Sequence, residues 1–161
     1  MTSRVKVTVK DNGFNRAVAM LKKPRMVLSL GVHPAEAAQP HPSKPGVTVG
    51  DVAVWMEYGT DDKRVPARSW LFDWVDQEAD VISRQLATDT VRVLFGKPPE
   101  SEGAALAKRG TIYRRQIVDR IRYENVFASN APSTVKKKGF DLPGIDSELF
   151  IESIRWEVRD R

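Results

Sequence analysis

The chain has 161 residues, 41% of them hydrophobic and 29% charged, with 26 Lys and Arg set against 21 Asp and Glu for a net charge of +5. That is one domain of ordinary size with enough apolar side chains for a core. No apolar run approaches the roughly 18 residues of a bilayer span, and Met1 to Arg4 lead into an alternating segment, so neither a membrane span nor a cleaved secretion signal is expected. Cysteine is absent, which removes disulfides, thiolate nucleophiles and Cys-based metal sites; His33 and His41 alone cannot assemble the usual zinc sets.

Arg4 to Lys10 places Val5, Val7 and Val9 on one face and Lys6, Thr8 and Lys10 on the other, the period-two pattern of a half-buried strand. Asp11-Asn12-Gly13 ends it, and Phe14, Val18 and Leu21 then fall at helical spacing before Pro24. Met26 to Val32 is apolar between Pro24 and Pro34 and reads as a second strand. Residues 34–47, with Pro40, Pro42 and Pro45, read as a flexible, extended loop or arm.

Thr48 to Tyr58 predicts a short helix with Thr48 as cap, an apolar face of Val49, Val52, Ala53 and Met56, and Gly59 at its end. A long helix is predicted from Arg68 to about Phe95, striped by Leu71, Val75, Ala79, Ile82, Leu86 and Val93 and stopped by Gly96. A second spans roughly Ser101 to Phe127, striped by Leu106, Gly110, Tyr113, Ile117 and Ile121. Loop and short helical signals surround Lys136-Lys137-Lys138, and Ile154 to Arg159 alternates as a closing strand. The expected fold is a single α+β domain over 1–161: a small antiparallel sheet packed against two long helices, with the proline-rich arm.

Charge is segregated. Lys108, Arg109, Arg114, Arg115, Arg120 and Arg122 face a single acid, Asp119, between Ala104 and Tyr123. Asp73, Asp76, Glu78 and Asp80 form an opposing block. Such blocks are either solvated helix faces or halves of a subunit contact that set its register.

Catalytic patterns are missing. There is no GxSxG elbow, no phosphate-binding GxxxxGK and no HExxH helix. A Ser-His-acid set needs an imidazole fixed by a carboxylate and touching a hydroxyl; His33 at a strand end and His41 between two prolines read as surface histidines. Asp61-Asp62 reads as a turn former. No cofactor and no metal are expected.

Two segments carry a resemblance. Val52 to Leu71 reads V-A-V-W-M-E-Y-G-T-D-D-K-R-V-P-A-R-S-W-L, and Lys138 to Val158 reads K-G-F-D-L-P-G-I-D-S-E-L-F-I-E-S-I-R-W-E-V. In this order they resemble the neck and tail-completion proteins of tailed bacteriophages (virion morphogenesis, minor tail protein Z-like). That pattern runs helix, Glu-aromatic-Gly-Thr and Pro-Ala/Pro-Arg-Pro-Phe, then a closing Pro-Leu-Ile-Asp-Thr-Gly before a Leu. Here Ser69-Trp70 stands where Pro-Phe is usual, Pro143-Gly144 where Pro-Leu is usual, and Ser147-Glu148 where Thr-Gly is usual.

The resemblance implies a structural role for Glu57, Tyr58, Gly59, Thr60, Pro66, Arg68, Trp70, Asp146 and Leu149. Gly59 would take a left-handed cap and Arg68 would bond Glu57 or a neighbouring acid. Trp70 and Trp74 would staple the long helix to the sheet, and Asp146 would cap the helix carrying Leu149. It implies no enzyme, but a virion protein made in the host cytoplasm and built into the neck or tail. Its partners would be further copies in a ring, commonly of six, and tail-tube, tail-terminator or head–tail connector proteins, with DNA passing only transiently. Lys108, Arg109, Arg114, Arg115, Arg120 and Arg122, with Asp73, Asp76 and Asp80, are the candidate contact residues. The alternative is a nucleic-acid-binding accessory protein using the basic helix 104–123.

Overall fold

The computed structural model describes residues 13–23, 25–42, 44–96, 100–124, 127, 129–130, 132–139 and 148–161. The strand expected at Arg4 to Lys10 lies outside them. In chain order the elements are α1 (Phe14–Leu21), β1 (Met26–Val32), α2 (Pro34–Ala37), α3 (Val49–Tyr58), α4 (Phe72–Phe95), α5 (Glu102–Tyr123), α6 (Pro132–Lys138), α7 (Leu149–Ser153) and β2 (Ile154–Asp160). The fold is α+β.

β1 and β2 pair antiparallel, Met26 opposite Asp160 and Val32 opposite Ile154. Strand alternation then decides the faces. Leu28, Leu30 and Val32 join Ile154 against the core, while Arg155, Glu157 and Arg159 on the other face are exposed. α5 lies on the apolar face. It approaches closely at Gly110, where a Cβ would stand 2.6 Å from the Trp156 ring and 3.0 Å from Leu28. A glycine in mid-helix costs about 0.5–1 kcal/mol relative to alanine, and here it lets the helix backbone settle on the indole.

The core gathers Ala53 and Met56 from α3, Trp70 and Trp74 around the start of α4, and Tyr113, Ile117 and Ile121 from α5. Phe150, Ile151 and Ile154 complete it from the chain's end. Two expectations are corrected here. On α4 and just ahead of it the expected Leu71, Ile82, Leu86 and Val93 are buried or half-buried, but Trp74 and Asp89 complete that side and Val75 and Ala79 are exposed. The Trp74 ring meets Tyr113 of α5 at 5.5 Å between centroids, and that contact turns the next residue about 100° away. The proline-rich stretch is also more folded than an extended arm. α2 forms one helical turn, Pro40 bridges Thr48, His41 N donates to Val47 O at 2.8 Å and Val49 N to Gln39 O at 2.9 Å.

Candidate functional site

The first motif folds into a clasp between α3 and α4. Thr48 and Asp51 cap α3 reciprocally: Asp51 N donates to Thr48 Oγ1 at 3.1 Å and Thr48 N to Asp51 Oδ2 at 2.8 Å. Those hydrogen bonds hold the Asp51 carboxyl below its ordinary range. Gly59 ends the helix at φ 76°, and a Cβ there would stand 2.9 Å from both Ala67 N and Val65 O. The positive φ and the close approach both select glycine, although ψ −172° is extended and not the left-handed cap expected. Thr60 N then donates to Val65 O at 3.0 Å and Arg68 N to Met56 O at 2.7 Å, folding the loop back on α3. Asp62 accepts from Thr60 Oγ1 at 2.7 Å and Arg64 N at 3.0 Å, and these bonds lower its carboxyl. It is a turn former, as expected. Pro66 is exposed in this loop.

Glu57 closes the clasp. Buried at the end of α3, it accepts from Ser69 Oγ, Trp70 N at 3.1 Å, Leu71 N at 3.0 Å and Phe72 N at 3.2 Å. A carboxylate against the orphan amides of a helix start satisfies donors that the helix itself cannot, and meets the positive end of its dipole. This is why α4 begins at Phe72 and not at Arg68. Arg68, expected to bond Glu57 or a nearby acid, is buried and donates through Nη2 to Ser129 O at 3.2 Å. Tyr58 points outward, 65% exposed, its ring 6.2 Å from Phe72.

The second motif meets the first. Trp70 lies edge-on to Phe150 of α7, centroids 5.2 Å apart, and its Nε1 donates to Ala53 O at 3.1 Å. Trp70 thus staples α3 to α7 and Trp74 joins α4 to α5, both within the core cluster that holds Ile154 of β2 and against which Leu28, Leu30 and Val32 of β1 pack. Leu149 opens α7 and is half-buried. Asp146 lies outside the described residues. Glu148, where the pattern has Gly, adopts φ 57°.

The basic face of α5 is largely spent inside the molecule. Asp89, buried, accepts from Arg109 Nε at 2.5 Å and Arg109 Nη2 and Arg92 Nη1 at 3.1 Å each. This bond raises the Arg109 guanidinium further, while burial raises the adjacent Tyr113 phenol, whose hydroxyl meets Gln85 at 3.0 Å. Arg114 Nε donates to Ile154 O at 2.6 Å, Arg120 Nη1 to Gln77 at 2.9 Å, Arg122 Nη2 to Glu148 at 2.9 Å and Lys108 Nζ to Glu100 at 2.5 Å. Arg115 is 83% exposed by side chain and pairs with Asp119. Asp73, Asp76 and Asp80 are all exposed on α4.

His33 has the contacts a catalytic histidine needs. Its Nε2 is 3.2 Å from Ser29 Oγ and its Nδ1 3.3 Å from Glu157 Oε1. Beside it Arg155 reaches Glu36 at 3.9 Å. Chemically this is the order hydroxyl, base, orienting acid; mechanically it straps α2 to the polar face of the sheet. Glu157 is 52% exposed by side chain, so water screens its hold on the imidazole. A cleft of about 180 Å³ lies elsewhere, between α1, α4 and α5, lined by Met20, Leu86, Val93 and Leu106 with Arg25 and Glu102 also lining it. Among the described residues no group of three or more acids and histidines is placed to hold a metal ion, and no helix is long and apolar enough to cross a membrane.

Sequence reasoning missed two features. Asp89 carries a signal in hindsight: an acid in register with Ile82, Leu86 and Val93 needs a buried counter-charge. The exposed Phe14, Val91 and Phe95 gave none, because spacing does not reveal which side of a helix is covered. No protein-family model, curated protein or solved structure matches the chain.

Proposed function

We propose that this chain is a structural virion protein of a tailed phage, resembling the neck and tail-completion proteins. It acts at the head–tail junction or tail end by forming a ring that docks on the tail tube or connector. The observation that supports this most is the meeting of the two resembling segments: Trp70 of the first packs on Phe150 of the second, across a span of sequence that has no local reason to be joined. Around that contact Glu57, Gly59 and Trp70 serve the fold, as the pattern implies, which leaves function to surfaces. The nucleic-acid alternative retains the exposed Lys108, Arg115 and Tyr123 but is weakened because Arg109, Arg114, Arg120 and Arg122 all have partners within the chain. The test is particle morphology after deletion of the gene. Unjoined heads and tails, or tails of irregular length, are expected; normal infectious particles would refute the reading.

A further inference from the structure

α4 has 24 residues and so runs about 36 Å. Its outward stripe is Asp73, Asp76, Asp80, Arg84, Ala87, Val91 and Phe95, at steps of three or four, and every member is exposed. The two ends of this stripe differ in chemistry. The N-terminal end is acidic, with no cation between Phe72 and Ser83, and is flanked by the exposed rings of Tyr58 and Phe72. At the C-terminal end Val91 and Phe95 are 59% and 52% exposed, and Phe14 of α1 is 70% exposed. α1 is fixed there by Arg16 Nη2 donating to Val93 O at 2.7 Å, with Leu21 lining the same cleft as Thr90. Lys22 and Lys23, both exposed, follow Leu21 and join the exposed Arg92 as cations of that half, while Arg84 lies at the middle of the stripe.

Each end thus offers large apolar side chains beside charge of one sign. Like ends repel, and unlike ends match in both charge and apolar character. We infer that the acidic end of α4 in one copy docks on the basic end of α4 and α1 in the next. The contact is heterologous and therefore propagates beyond two copies. A two-fold pairing of antiparallel α4 helices centred on the stripe would instead place Arg84 of both copies face to face. This rests on the virion reading and supplies its ring contact, moving it from the basic face of α5, whose cations are internally paired, to the two ends of α4.

The full-length chain is sized by sedimentation over a dilution series at low and high salt, with circular dichroism as the control for folding. Wild type is expected to form species larger than a dimer that dissociate on dilution and with salt. The D76K/D80K variant and the K22E/K23E variant are each expected to lose those species while staying folded. Mixed together they are expected to regain them, because reversed acids then face reversed bases. A wild type that stays monomeric, a particle that closes at two copies, or assembly indifferent to both reversals overturns the contact. The virion reading fails separately, through normal particles after gene deletion, whatever the sedimentation shows.

Discussion

Replacing Glu57 tests the clasp directly. In Glu57→Ala the amides of Trp70, Leu71 and Phe72 lose their acceptor in a place where Glu57 is only 8% exposed. A buried donor left unpaired costs about 1–3 kcal/mol, and water entering the vacated space recovers part of it, so the expected loss is about 4 kcal/mol. For a chain of this length that lowers Tm by about 8–16 °C. Glu57→Gln separates shape from charge. Oε1 accepts from Ser69 Oγ and Phe72 N, while Oε2 accepts from Trp70 N and Leu71 N. With its NH2 at the Oε1 position, Gln donates to the Ser69 hydroxyl and leaves only Phe72 N unpaired, a loss of about 2 kcal/mol. Urea unfolding followed by tryptophan fluorescence and circular dichroism gives both numbers. An alanine variant within about 1 kcal/mol of wild type would refute the clasp as the element that joins α3 to α4.

Other outcomes follow from the same contacts. Trp70→Ala is expected to cost roughly 3–5 kcal/mol in urea, since Trp70 is core; a near-neutral result would place it at an interface. Arg114→Glu should cost roughly 1–3 kcal/mol by removing the donor to Ile154 O, whereas the exposed Arg115→Glu should stay within about 0.5 kcal/mol; equal effects would contradict the geometry. The Asp51 carboxyl is lowered in the folded state, so its contribution is present above the ordinary aspartate range and is lost as pH falls through the folded value. Asp51→Asn is accordingly expected to flatten the acid limb of the stability–pH curve, and an unchanged limb would count against the capping box. Ser29 is expected to resist a fluorophosphonate probe at neutral pH; a Ser29 adduct that disappears in His33→Ala would overturn the strap reading of that cluster.

Local punctuation explains what was legible in the sequence. Gly13, Gly59 and Gly96 border helices, and Pro34 opens α2 just beyond β1, so those boundaries are written in single residues, glycine because it takes conformations other residues resist and proline because its φ is fixed. The buried side of α4 was legible at Leu71, Ile82, Leu86 and Val93 but not in its first turns, where one tryptophan contact across to Tyr113 outweighs a weak pair of Val75 and Ala79. The clasp was half legible: the motif flagged Glu57 and Arg68, but Ser69 and three backbone amides take the carboxylate, and amides have no signature in the sequence. Charge was the least legible feature. Six cations on α5 look alike as letters, yet four bond groups elsewhere in the chain, and only those partners on α4, on β2 and just ahead of α7 reveal it.

Glu148 shows how a strained backbone position is held by its surroundings. It sits at φ 57°, ψ −13°, just ahead of α7, a left-handed conformation that costs a non-glycine residue roughly 1–2 kcal/mol. Glycine takes it freely. The ion pair with Arg122 at 2.9 Å is half exposed on the Glu148 side and returns only about 0.2–1 kcal/mol. The strain therefore persists because its surroundings require it. The turn sets the direction of α7, which must put Phe150 on Trp70 and then deliver Ile154 opposite Val32 to start β2. A non-glycine backbone in this conformation is constrained by what it joins. What it joins here is the pair of segments on which the virion reading rests.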